Sequence, residues 1–198
     1  TLPTSEKDFV GNYPIGTQVL LPKEHSVVGI HWKGEDGTDD FDISLVDAHG
    51  GKLGWNSNYK NEENSLIYSG DVRLANPHAT ELFYASKGFK PCTVRVNRYS
   101  GEANSKFIFF IANQNMGSDI YNTMVDESAI IAKFAMESTS EEQIIGVLTE
   151  DAYILTVQRA GNKRVSNGKN VTKEYATYMV AKSNCMLTVN ELWDCFGE

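Results

Sequence analysis

Apolar and polar positions alternate in short stretches along most of this chain, and almost none of it shows the 3.6-residue spacing of a helix. Residues 17–21 (TQVLL) form a short apolar run closed by Pro22. Residues 26–33 (SVVGIHWK) are β-branched and aromatic, as a buried strand requires. In residues 41–48 (FDISLVDA), Phe41, Ile43 and Leu45 alternate with Asp42, Ser44 and Val46, a half-buried pattern of period two. The run 26–33 and the run 41–48 are joined by the acidic stretch KGEDGTDD, so the simplest prediction is a hairpin.

Further strands are predicted at 66–69, 79–85 (ATELFYA), 92–99 (CTVRVNRY) and 107–112 (FIFFIA), the last apolar on both faces. Residues 56–65 are polar and aperiodic, a long loop, as are the Asn-rich residues 113–127. Residues 128–136 suit either a strand or a short helix. The runs QIIGVL and AYILTVQ read as a hairpin. A helix capped by Ser140 and Gln143 competes for the first run, but its β-branched content and Gly146 favour strand. Residues 160–174 form a basic loop, and 175–181 (YATYMVA) the last strand. Thr188 and Glu191 form a capping box ahead of a short C-terminal helix at about 188–196. The expectation is an all-β, two-sheet β-sandwich of nine or ten strands, one domain with its core at about 17–181.

Composition narrows the partners more than the fold. Eighteen basic against twenty-six acidic residues among 198 give a net charge of -8, which argues against nucleic acid and suits a cation. No apolar run approaches the ~20 residues that span a bilayer, so no transmembrane segment is expected. Cys92, Cys185 and Cys195 have neither disulfide nor zinc spacing and read as reduced thiols of a cytoplasmic protein. Asn170 to Thr172 matches a glycosylation acceptor, a weak motif that also needs a secretory route.

The densest chemistry lies in Glu35, Asp36, Asp39, Asp40 and Asp42. Asp40 and Asp42 are two apart at a strand start and project to one face, where like charges repel unless a cation is shared. Asp71 follows Gly70 at a strand end, and Glu81 enters another strand. Calcium, which takes six to eight oxygens, suits this set better than magnesium. Neither the EF-hand loop, a G-x-S-x-G nucleophile turn, a phosphate-binding glycine loop nor a histidine pair of metal spacing is present, and His31 and Cys92 read as core residues. No enzyme is expected.

The order GIHW, DFDIS, YSGD, TELFYA resembles the TerD family of tellurium-resistance and stress-response proteins. The family pattern falls on Gly29 and Trp32, on Asp40, Asp42 and Ser44, on Gly70 and Asp71, and on Glu81, with a closing hairpin around Gly146; it covers about residues 17–160. Thr38, Val72 and the stretch 78–81 depart from it. The resemblance implies a non-enzymatic calcium-binding sandwich that works through protein partners, with ligands among Asp36, Asp39, Asp40, Asp42, Asp71 and Glu81. The competing reading is a metal-independent module that binds carbohydrate or protein, such as a phage-associated domain. Trp55 and Tyr59 beside Asn56, Asn58 and Lys60 motivate it.

Overall fold

A computed structural model describes residues 9–10, 13–34, 38–115, 120 and 124–161. Its strands are β1 (Phe9–Val10), β2 (Tyr13–Pro14), β3 (Gln18–Leu20), β4 (Ser26–Lys33), β5 (Asp40–Asp47), β6 (Lys52–Leu53), β7 (Leu66–Tyr68), β8 (His78–Ala85), β9 (Cys92–Ser100), β10 (Lys106–Asn113), β11 (Ile130–Glu137), β12 (Glu142–Leu148) and β13 (Ala152–Gly161). Eleven of them form two antiparallel sheets, a five-stranded one in the order β11-β10-β4-β8-β7 and a six-stranded one in the order β3-β13-β12-β9-β5-β6. β1 and β2 pair only with each other.

The core lies between the sheets. Val28, Ile30, Trp32, Phe83 and Phe109 from one sheet meet Phe41, Ile43, Leu45, Val94, Val96 and Tyr153 from the other. Two glycines are set by close packing. A Cβ on Gly29 would lie 2.7 Å from the Glu81 carbonyl oxygen and from the Phe110 ring. One on Gly146 would enter the Tyr153 ring, whose hydroxyl donates to the Ile145 carbonyl at 2.7 Å.

The all-β, two-sheet expectation holds, and three details change. First, β4 and β5 are not a hairpin. β4 pairs with β8 and β10, and β5 with β6 and β9, so the acidic stretch passes from one sheet to the other. Two apolar runs flanking a short loop satisfy their backbones equally well in opposite layers, and burial of both faces favours that. Second, β5 is buried on both faces, with Asp42 and Ser44 at 3% and 1% exposure, so alternation of polarity here does not mean alternation of solvent. Third, the described residues alone form thirteen strands where nine or ten are expected for the chain, because two-residue strands such as β1, β2 and β6 are too short to show a period.

The stretch 128–136 resolves into a single 3-10 turn (Glu127–Ala129), capped by the Asp126 carboxylate, followed by β11. The β12–β13 hairpin is present as expected, and Gln143 turns its amide to the Thr139 N–H and the Glu137 carbonyl rather than capping a helix. Cys92 is free and buried. His31 sits half-buried on the outer face of its sheet, satisfied by Thr80 Oγ1 at 2.8 Å and stacked on His78, with its pKa lowered by burial and by that neighbour. The predicted strand 175–181, the helix at 188–196 and the basic loop's lysines lie outside the described residues. Among the described residues, no helix is long and apolar enough to cross a membrane.

Candidate metal site

The site is built where β5 runs along an uncovered sheet edge. β6 covers β5 only at Leu45 and Val46, so the amides near Asp42 have no strand beside them on that side. Glu81 fills this gap. It stands on the core face of β8 among Ala79, Phe83 and Ala85 and is fully buried. Its Oε2 accepts the Ile43 N–H at 3.0 Å and its Oε1 the Val72 N–H at 2.9 Å. One carboxylate thus ties the strand that carries Asp42 to the turn that carries Asp71. Burial, then the charge of Asp42, pushes the Glu81 carboxyl well above the usual range, partly offset by these hydrogen bonds. The Tyr68 hydroxyl faces the same carboxylate from a fully buried position without reaching regular hydrogen-bond geometry, and its pKa is also raised, first by burial.

This bracket brings Asp40, Asp42 and Asp71 together. One carboxylate oxygen from each lies within 4.8 Å of the other two. Gly70, at φ +106°, supplies the backbone turn that points Asp71 back at β5, a conformation that disfavours side chains with a Cβ. Asp42 is 3% exposed and accepts no hydrogen bond from the described residues. Asp40 Oδ1 is buried and likewise unpartnered. Asp71 Oδ2 accepts from Arg73 Nε at 2.9 Å, an ion pair on an exposed arm.

The electrostatics follow from that crowding. Burial first, then the charges of Asp40 and Asp71, push Asp42 up to about 8. Burial, then Asp71, push Asp40 up to about 6, against a smaller opposite pull from Arg73. Lys52 is the nearest buried cation; burial lowers it to about 8 although Asp42 and Glu142 pull it upward. Its Nζ donates to Asn56 Oδ1. Arg95 and Glu142 form a buried ion pair farther along the same face at 2.8 Å.

The other expected ligands separate. Asp39 turns toward the β9–β10 connection, where its Oδ1 accepts from Ser105 Oγ at 2.9 Å and lies against Gly101, and its carbonyl accepts from Trp32 Nε1 at 3.0 Å. Adjacent positions of an extended chain point to opposite sides, so Asp39 diverges from Asp40. Glu81 acts on backbone amides instead of facing the cluster. Asp36 lies outside the described residues.

The cluster opens into a cavity of about 200 Å³ lined by Asp40, Asp42, Asp71, Arg73, Trp55 and Tyr99. Tyr99 was not legible as a site residue. Its place follows from the pairing of Asp42 with Asn97 and Asp40 with Ser100, which the sequence does not display.

The donor set is all carboxylate oxygen, the choice of hard cations. Oxygens that all lie within 4.8 Å of one another are close enough to share a single ion. No family model, no curated protein and no solved structure matches this chain.

Proposed function

We propose that this protein is a non-enzymatic, calcium-binding β-sandwich domain that acts through protein partners. The observation that carries the reading is Asp42: a carboxylate 3% exposed, with no hydrogen-bond donor among the described residues, sharing its 4.8 Å neighbourhood with Asp40 and Asp71. Like charges so placed repel, and burying them is costly; a divalent cation turns both terms favourable. Asp40, Asp42 and Asp71 would hold the ion, with Glu81 fixing the two segments that bear them.

The order of motifs that resembles the TerD family supports the same assignment, since Asp40, Asp42 and Asp71 are three of its matching positions. A tellurium-resistance or stress-response role, and a cytoplasmic setting, come with that resemblance; the free thiol of Cys92 suits reducing surroundings. Thermal unfolding with and without calcium tests the reading. Millimolar calcium is expected to raise the Tm of the native chain and to leave Asp42→Ala unmoved, and an equal rise in both would remove Asp42 from the site.

A further inference from the structure

The same cavity holds more than an ion requires. Trp55 and Tyr99 wall it at right angles, ring centroids 6.2 Å apart and planes at 80°. Tyr99 is 44% exposed on a strand whose residues up to Asn97 are buried. Trp55 is held ready by a tight loop. Ser57 Oγ donates to the Lys52 carbonyl at 2.8 Å, the Ser57 N–H to the Gly54 carbonyl at 3.1 Å, and the Gly54 N–H to the Asn58 carbonyl at 3.1 Å. A preorganised aromatic corner costs little entropy to use in binding.

The ion's coordination is left incomplete. Calcium takes six to eight oxygens, and the three carboxylates offer fewer once Asp71 Oδ2 is engaged by Arg73. The three carboxylates and the two aromatics line the same cavity, so a ligand there would reach both. Charge then selects the ligand. Three carboxylates, one guanidinium and one divalent ion sum to zero among the lining groups, so neither an anion nor an organic cation gains from the site. A neutral ligand that donates oxygens does.

We infer that the site takes a neutral carbohydrate end, a sugar whose vicinal hydroxyls complete the calcium shell while its C–H face packs on Trp55 and Tyr99. The C–H bonds of a sugar ring are weakly positive and suit the negative face of an aromatic ring. Exposed N–H groups of Arg73 are placed at the rim to donate to a further hydroxyl. This rests on the calcium reading, and the volume of about 200 Å³ limits the contact to one terminal sugar.

The test is titration of the full chain with mannose, fucose, galactose and glucose, each in millimolar calcium and in EGTA, followed by tryptophan fluorescence and calorimetry. At least one sugar is expected to bind only with calcium. Tyr99→Ala and Trp55→Ala are expected to weaken it tenfold or more while the calcium titration stays unchanged; Tyr99→Ala, on the exposed side, guards against a folding defect at Trp55. Calcium binding without any sugar binding overturns this inference and leaves the cation site standing. Sugar binding that survives EGTA also overturns it. Absence of calcium binding overturns both.

Discussion

Asp42→Asn is expected to stabilise the protein in EDTA while abolishing its response to calcium. The side chains are nearly isosteric, so packing is kept and only the capacity for charge changes. Asp42 is held at about 8 in the fold against 3.8 for a free side chain. Keeping that proton at neutral pH costs about 1.36 kcal/mol for each unit between 3.8 and ambient pH. The upper bound is thus about 4 kcal/mol near pH 7, and relaxation plus the lost attraction to Lys52 reduce it to about 1–3 kcal/mol. Urea unfolding of both proteins in EDTA measures this as a rise in midpoint at unchanged m-value. The same series in millimolar calcium should reverse the ranking, because only the native chain gains binding energy. A destabilised Asn variant in EDTA would refute the reasoning: the carboxyl would then be a satisfied partner, not a group forced to hold a proton until a cation replaces it.

Other consequences concern the scaffold. Glu81→Gln can accept only one of the two amides that Glu81 Oε1 and Oε2 now accept. It should lose about 1–3 kcal/mol by denaturant unfolding and weaken calcium binding without touching a ligand, and unchanged calcium affinity would deny its bracketing role. Gly29→Ala places a methyl 2.7 Å from a backbone oxygen and should destabilise by about 1–3 kcal/mol, read as a lowered midpoint. The pH dependence has a defined sign. The folded chain holds protons on Asp42 up to about 8 and on Asp40 up to about 6, whereas the unfolded chain releases them near 3.8. In EDTA these two groups therefore lower stability as pH rises from about 4 to 8, while calcium affinity rises over the same interval because binding expels the protons. Calorimetry in buffers of different ionisation enthalpy would report that proton release.

Period-two alternation was enough to read strands such as β9, and to place Asp40 and Asp42 on one face. Gly70 made Asp71 legible as a turned-in residue. What stayed hidden depends on pairing between distant segments. β5 seeks β9, some fifty residues away, and only that register brings Tyr99 beside Asp40. Proximity along the chain suggested a β4–β5 hairpin, yet burial of both faces of β5 placed the two strands in opposite layers. The sequence places Glu81 among the ligands by its position at a strand start and by the family pattern that ends on it. Its parity with Ala79 and Phe83 already puts it on the core face, where a carboxylate must find buried donors, and it finds two backbone amides. Asp39 and Asp40 are equivalent in residue type, but the parity that sets Asp40 and Asp42 on one face turns Asp39 to the other, where it meets Ser105.

The most direct measurement is calorimetric titration of calcium into metal-stripped native protein beside Asp42→Ala. A saturable heat with one site per chain in the native protein, absent from the variant, is the predicted result. No heat in the native protein at millimolar calcium would contradict the central claim that Asp40, Asp42 and Asp71 are gathered to hold a cation.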